Sequence, residues 1–354
     1  MQMNYMANIL VWPCATFKED EYLWIFHGKI NALFRYNLMK EKLEYMASLV
    51  DEKSVQESLM CQIVKVSKKI YLIPHWGNHI HLYDVTLGRD TIIHLRNEEK
   101  YRGKRLFCAA YLLNNQIYCV PDSYNYFIAI NPENNEIYYL FDVKKQLSDY
   151  GIDMKYITSS TINLQQEIYA VMADSNLLIK LDYEKKCFSL IKPINEKSII
   201  SHLVFLNGCK YAIEYGYDGE KRRVVRLEDG CEIYEVNSFI TFGVLKDCIL
   251  VDSVHENWME VIDEHGKVIQ KISEEKLLGY PMLYSYNHGI LVGNEQKDYY
   301  FSRRTNKIMK VSNDKIFTRT GKLLFGKCPL NLFCGNSLYE DRYTNLEALM
   351  RLLG

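Results

Sequence analysis

Hydrophobic residues in this chain recur in short runs separated by polar turns. The stretch IYLIPHWGNHIHLYD (residues 70–84) shows the unit. An apolar strand of about five residues leads to a break at a proline and a glycine, and a second strand with alternating apolar residues follows. This pattern predicts a β-hairpin that opens with a buried strand.

The hairpin pattern is repeated along the chain. Ungapped copies are LWIFHGKINALFRYN (23–37), IYCVPDSYNYFIAIN (117–131), IYAVMADSNLLIKLD (168–182) and ILVDSVHENWMEVID (249–263), and weaker copies start at 211 and 290. Successive starts lie 38 to 51 residues apart. A period of this size, carried by strands, is typical of a propeller array.

Further strands are predicted on both sides of each hairpin, for example CQIVKV before residue 70 and DTIIHL after residue 84. Four short strands make one blade, and a single blade cannot bury both of its faces alone. We therefore predict an all-β fold, a β-propeller of seven four-stranded blades, with six or eight as alternatives. The propeller is expected to span residues 1–326 and to close with residues 1–20 beside 300–326.

Residues 327–354 are predicted to form a C-terminal extension. Within it, residues 344–353 are expected to form a short helix. Thr344 and Glu347 match a capping box, and Leu346 and Leu349 share one helical face.

Two polar positions stay constant among the five best copies. The ninth position is always asparagine: Asn31, Asn78, Asn125, Asn176 and Asn257. The last position is Asn37, Asp84, Asn131, Asp182 or Asp263. Because Asn and Asp tolerate left-handed backbone and hydrogen-bond to nearby backbone, we expect turns at the ninth position and at the start of the next connection.

The copies IYLIPHWGNHIHLYD and IYCVPDSYNYFIAIN resemble Kelch-like and related bacterial β-propellers, which share the order of strand, small turn and strand. The resemblance covers roughly residues 9–311. Pro74-His75 and Pro121-Asp122 stand where Kelch repeats have a double glycine, and the Trp-Asp ending of WD repeats is missing. The resemblance implies a ring scaffold with a binding face and carries over no catalytic residue.

The composition of the chain limits the classes of partner that it is expected to bind. Lys plus Arg number 43 and Asp plus Glu number 44, so the chain lacks the basic footprint of a nucleic-acid binder. No apolar stretch approaches the roughly 18 residues that would span a bilayer. The ten cysteines form no C-x-x-C pair, which argues against zinc-ribbon and thioredoxin-like motifs. Most of them lie in apolar strand-like runs, as small buried residues do in proteins of a reducing compartment. We expect a cytoplasmic protein with neither nucleic-acid nor membrane partners.

His75, His79 and His81 raise the question of a metal site. Two of the other copies hold Ala32 and Phe34, or Tyr126 and Ile128, at the positions of His79 and His81, as ordinary blade positions would. The pattern favours surface or hydrogen-bonded histidines, and the sequence predicts no metal and no cofactor.

In a propeller, the loops between second and third strands share one rim with the links between blades. These loops differ from copy to copy, as expected of a scaffold that carries an individual binding face. The predicted ligand-binding residues are His27, His75, Trp76, Asp122, Tyr124, Asp174, Tyr215, His255 and Glu256.

The leading hypothesis is a non-catalytic binding or scaffold module that holds a protein, peptide or glycan on this face. The alternative is a lyase or hydrolase with a histidine and a carboxylate in the central funnel. No G-x-S-x-G, H-E-x-x-H, P-loop or dinucleotide motif occurs, so no catalytic residue is assigned.

Overall fold

The computed structural model of the chain is mostly β-strand. It describes residues 6–10, 13–27, 30–40, 42–52, 59–153, 155–173, 175–191, 198–216, 221–236, 240–245, 248–253, 258–273, 289–292, 299–302, 307–310, 322–323 and 325–329. Over these residues, one α-helix is present, α1 (Val143–Asp149), and no helix is long and apolar enough to cross a membrane.

The chain divides into two compact units. The first comprises residues 1–106, 277–285 and 289–354. Its three four-stranded sheets contain β2 (Pro13–Glu19), β3 (Tyr22–His27), β4 (Leu33–Asn37) and β5 (Lys42–Ala47); β6 (Met60–Val66), β7 (Lys69–Pro74), β8 (Ile80–Asp84) and β9 (Arg89–Ile93); and β26 (Gly289–Val292), β27 (Tyr299–Ser302), β28 (Lys307–Lys310) and β29 (Lys322–Leu323).

The second unit comprises residues 107–276 and 286–288 and holds four sheets of the same kind. They contain β10 (Phe107–Leu113), β11 (Gln116–Pro121), β12 (Tyr126–Ile130) and β13 (Ile137–Asp142); β14 (Ile157–Ile162), β15 (Ile168–Met172), β16 (Leu178–Asp182) and β17 (Cys187–Ile191); β18 (Ser198–Leu206), β19 (Cys209–Gly216), β20 (Arg222–Arg226) and β21 (Cys231–Val236); and β22 (Ile240–Leu245), β23 (Cys248–Ser253), β24 (Trp258–Ile262) and β25 (Val268–Ser273).

Each four-stranded sheet is an antiparallel meander in chain order, which is the strand arrangement of a propeller blade. Seven such sheets lie among the described residues, and the number of blades stays a prediction. Six of the seven predicted hairpins supply the second and third strands of a sheet, as expected. The hairpin that starts at residue 290 supplies β26 and β27 instead, the first and second strands. Since all four strands of a blade share the two-residue period, a weak copy does not fix its place in the sheet.

Burial follows strand order within each sheet. The second strands β3, β7, β11 and β15 are buried at almost every position, whereas the fourth strands β5, β9, β13 and β21 are mostly half-buried or exposed. A strand buried on both faces reads as a continuous apolar run, which is why the repeat was visible in the sequence.

The hydrophobic cores lie between successive sheets. In the first unit, Trp24 and Phe26 of β3 join Ile70 and Leu72 of β7 in one buried cluster. In the second unit, comparable clusters join β11 to β15, β15 to β18, and β19 to β23. Each fully buried side chain of this size contributes about 1.5–3 kcal/mol, so each sheet depends on its neighbours for stability.

Strands near the two ends of the chain pair with each other, as the sequence predicts for residues 1–20, but the partner strand lies mostly beyond the predicted range 300–326. β1 (Met6–Leu10) pairs antiparallel with β30 (Phe325–Pro329), and β2 also contacts β26. β30 crosses the boundary predicted at residue 326, and the division into 1–326 and 327–354 stays a prediction. The helix expected at 344–353 lies outside the described residues.

The constant polar positions have two different roles. The predicted turns after the third strands are confirmed, since side-chain oxygens of the closing residues accept backbone N–H groups two to four residues later: Asn37, Asp84, Asn131, Asp182 and Asp263. The turn predicted at the ninth position is present, since Asn31, Asn78, Asn125 and Asn176 lie in bends between the second and third strands, although none of the four has left-handed backbone. Asn257 lies outside the described residues.

Asn31 shows what the ninth position does in the first sheet. Its side chain accepts from the Leu49 N–H (2.8 Å) and donates to the carbonyls of Leu49 (2.8 Å) and Glu52 (2.9 Å). The amide therefore joins the loop before β4 to the link that leaves β5.

Candidate functional site

Loops between second and third strands lie against the starts of the first strands, as predicted for one rim. In the first unit, the Leu106 N–H, just before β10, donates to the His75 carbonyl (2.7 Å). In the second unit, Ile157 and Ile200 at the next first strands donate to the carbonyls of Asp122 (3.2 Å) and Ser175 (3.0 Å). In the second unit, a second-to-third loop is thus tied to the strand that begins the following sheet, and in the first unit the loop is tied to the link that follows its own sheet.

Residues 75–79, which we call the Trp76 loop, are held by five backbone hydrogen bonds. His75 and Gly77 donate to the Leu59 carbonyl (2.7 and 2.9 Å), and the His75 carbonyl accepts from Leu106. Asn78 and His79 donate from their backbone to Oε1 of Glu52 (2.6 and 3.0 Å). A loop with this many backbone contacts has a fixed backbone conformation, which sets the directions in which its side chains leave the loop.

Three predicted site residues lie in the first unit. His75 and Trp76 are half-buried, and their rings meet edge to face at 6.2 Å. Trp76 Nε1 is buried and has no hydrogen-bond partner among the described residues. His27 at the end of β3 is buried, and its Nδ1 accepts from the Ile30 N–H (3.1 Å), so this ring fixes a turn.

Gly77 of the Trp76 loop packs closely against the start of β6 and the link after β5. A Cβ at this position would lie 2.9 Å from Met60 Cε, 3.1 Å from the Leu59 carbonyl oxygen and 3.2 Å from Glu52 Oε1. We expect Gly77→Ala to lower the free energy of unfolding by about 1–3 kcal/mol, as overpacking does. Urea denaturation measures it. Gly103→Ala measures backbone strain without overpacking, because Gly103 has no close neighbours but a φ of +69°, and it is expected to cost about 1 kcal/mol. A Gly77→Ala variant as stable as the wild-type chain would contradict the packing argument.

In the second unit, the structure separates the predicted residues. Tyr124 is fully buried between Phe107 and Tyr126 (ring centroids 5.5 and 5.8 Å), so the expectation of a surface tyrosine is wrong. Asp122 is buried too, and its Oδ1 accepts from the Ser123 hydroxyl (3.1 Å). Asp174, His255 and Glu256 lie outside the described residues.

Tyr215 stays half-exposed at the end of β19. The guanidinium carbon of Arg222, its cross-strand partner on β20, lies 3.8 Å from the centre of the tyrosine ring. This contact is a cation–π pair. Burial lowers the pKa of Arg222 and the tyrosine counteracts part of that effect.

A buried charged network lies directly behind the Trp76 loop. His81 on β8 is fully buried, with Nδ1 2.8 Å from Asp90 Oδ2 and Nε2 3.4 Å from Glu52 Oε1. Burial lowers the pKa of His81, but hydrogen bonds and charge from Asp90 and Glu52 outweigh it, so the pKa is raised. Asp90 Oδ2 also accepts from the Val50 N–H (2.8 Å), which ties the link after β5 to β9.

A second cluster of His79, His94 and Glu98 lies beside this network. His79 Nδ1 is 3.2 Å from Glu98 Oε2, and His94 Nδ1 is 2.9 Å from Glu98 Oε1. Burial raises the pKa of Glu98, but hydrogen bonds from His94, the Leu95 N–H and His79 outweigh it and lower the pKa. Among the described residues, this is the one group of three ligand-type side chains with geometry that could hold a metal ion.

The sequence singled out only His79 and His81 from these clusters. Glu52, Asp90, His94 and Glu98 come from a link, a fourth strand and the turn after it, which lie outside the hairpin repeat. The available signal was the density of histidines between residues 75 and 98, where four of the nine fall.

No family model matches this chain, and no curated protein matches it either. Several solved structures are similar to this chain. A streptogramin B lyase structure is 11% identical, with 86% of this chain and 96% of that chain covered and a TM-score of 0.60. Virginiamycin B lyase from Staphylococcus aureus is 13% identical, with 85% and 96% covered and a TM-score of 0.56. Both are β-propeller proteins.

The fold is a β-propeller. A further propeller, YCF48 bound to D1 peptide, is 12% identical, with 85% of this chain and 94% of that chain covered and a TM-score of 0.54. At these identities, the likeness to other propellers shows the architecture alone, and the function of this propeller has to be argued from its own residues.

Proposed function

We propose that this propeller is a non-catalytic binding module that holds a peptide segment of a protein partner at the Trp76 loop. The observation that carries the proposal is the way the loop is fixed. Five backbone hydrogen bonds hold residues 75–79 in place. The loop held in this way carries a half-buried tryptophan beside a half-buried histidine.

Pre-organisation is what gives such a loop its value for binding. Association costs less ordering entropy when the contact residues are already held in place. Tryptophan adds a large contact area with few rotatable bonds, and binding energy is concentrated in such residues.

Protein or peptide binding is favoured over a glycan by the resemblance in architecture. YCF48, one of the similar propellers, was solved with a peptide bound. Glycan binding, the cytoplasmic location and the Kelch-like nature of the repeat stay predictions.

The proposal is tested with a phage-displayed library of random 12-residue peptides selected on the immobilised full chain. Selected peptides are synthesised with a fluorescent label and titrated by anisotropy. We expect Trp76→Ala to weaken binding about 30-fold, close to 2 kcal/mol, as loss of an anchor residue does. His75→Ala is expected to have a smaller effect in the same direction.

Leu87→Ala is the matched control, because Leu87 is exposed in the third-to-fourth strand turn at the opposite end of the same sheet. Thermal unfolding of each variant separates lost contacts from lost fold. Selection of no peptide, or selected peptides that bind Trp76→Ala as tightly as the wild-type chain, would overturn the proposal.

The enzyme alternative has one supporting observation, the lyases among the similar propellers. Of the histidine–carboxylate pairs at suitable distance, His94 with Glu98 (2.9 Å) is exposed to solvent, whereas no substrate can reach the fully buried ring of His81 beside Asp90 (2.8 Å). The buried pair of His81 and Asp90 therefore supports a structural role better than a catalytic one.

A further inference from the structure

The cluster of His79, His94 and Glu98 joins the third strand of the second sheet to the segment that follows its fourth strand. Two imidazole Nδ1 atoms converge on the two oxygens of one carboxylate, at 3.2 and 2.9 Å. One ligand atom from each residue lies within 4.8 Å of the other two. We propose that these three side chains bind one divalent transition-metal ion, with Zn²⁺ as the best match.

The spacing fits a tetrahedral ion. Zinc lies about 2.0–2.1 Å from histidine nitrogen and about 2.0–2.2 Å from carboxylate oxygen, which places neighbouring ligand atoms roughly 3.3 Å apart. Both nitrogen–oxygen distances in the cluster are close to this value. Small side-chain rotations are then enough to bring the three atoms around one ion.

The chemistry of the ligands selects the class of metal. Imidazole suits zinc, copper, iron and nickel, whereas magnesium and calcium require oxygen ligands. Two histidines and one glutamate leave one tetrahedral position open. The His94 side chain is 68% exposed, so solvent reaches the cluster and a water molecule can take the fourth position.

Two of the three ligands are held in place by the surrounding structure. The side chains of His79 and Glu98 are only 10% and 17% exposed. The backbone N–H of His79 donates to the buried carboxylate of Glu52 (3.0 Å), and the Leu95 N–H donates to Glu98 Oε2 (3.1 Å). Supporting hydrogen bonds of this kind orient the ligands of a metal site and strengthen binding.

The test is a calorimetric titration of the full chain with ZnCl₂ after treatment with a chelator. We expect one ion per chain, and a loss of affinity of at least tenfold in His94→Ala and in Glu98→Gln. Both substitutions spare the core, and Gln retains an oxygen that accepts from Leu95 N–H. Zinc is also expected to raise the melting temperature of the wild-type chain but not of the two variants.

His265→Ala is the matched control, since His265 is equally exposed and also faces a glutamate, Glu264, at 3.6 Å. Its affinity for zinc is expected to equal that of the wild-type chain. Because the chain has ten cysteines, a parallel titration with Co²⁺ checks the visible and near-ultraviolet spectrum for thiolate bands. Thiolate coordination, absence of binding, or unchanged binding in His94→Ala would each overturn the proposal, and none of them bears on peptide binding.

Discussion

Replacing Glu52 with alanine is expected to lower the free energy of unfolding by about 3–5 kcal/mol, the cost of breaking a buried charge pair by removing one partner. Glu52 is buried in the link after β5, and its Oε1 accepts from the backbone of Asn78 and His79. The same atom lies 3.4 Å from Nε2 of His81. Its loss leaves the backbone N–H groups of Asn78 and His79 without this acceptor and the buried His81 ring with one neighbouring carboxylate instead of two.

The measurement is equilibrium denaturation by urea, followed by far-ultraviolet circular dichroism. Glu99→Ala is the control, because Glu99 pairs with Arg102 at the surface (3.1 Å), and it is expected to change stability by no more than about 0.5 kcal/mol. Glu52→Gln is expected to fall between the two, since an amide oxygen can still accept the backbone hydrogen bonds. A Glu52→Ala variant as stable as Glu99→Ala would contradict the structural role of the network.

The blades could be predicted from sequence because their signal is periodic. The second strands are buried on both faces and therefore appear as continuous apolar runs, and the closing Asn or Asp accepts backbone hydrogen bonds within four residues. Both signals are local. The place of the last hairpin in its sheet is set by pairing with other strands, which the alternation does not encode.

The charged network behind the Trp76 loop could not be predicted in the same way. Glu52 and His81 are 29 residues apart and meet only because the link from the first sheet packs against the second. The ninth-position Asn31 was correctly placed in a loop, but its role was misread. Its side chain bonds to a link 18 to 21 residues away instead of to its own turn. Such contacts depend on how sheets pack together, and no pattern within one repeat records that.

For Tyr124, the sequence and the structure predict different losses of folding free energy on substitution. The segment Pro-Asp-Ser-Tyr-Asn has the composition of an exposed turn, for which a substitution costs about 0.5 kcal/mol or less. In the structure the ring is fully buried against Phe107 of β10 and Tyr126 of β12. The tyrosine ring therefore packs inside the protein at the end of its own sheet, against β10 and β12.

We therefore expect Tyr124→Ala to lower the free energy of unfolding by about 3–5 kcal/mol, as loss of a buried aromatic ring does through lost transfer energy and a cavity. Urea denaturation of the full chain measures it. Tyr124→Phe keeps the ring and is expected to lose much less, which separates packing from the hydroxyl group. Tyr138→Ala, at an exposed tyrosine on β13, is expected to stay within about 0.5 kcal/mol of the wild-type chain. If Tyr124→Ala were as stable as Tyr138→Ala, the ring would lie at the surface, and its place in the predicted binding face would be restored.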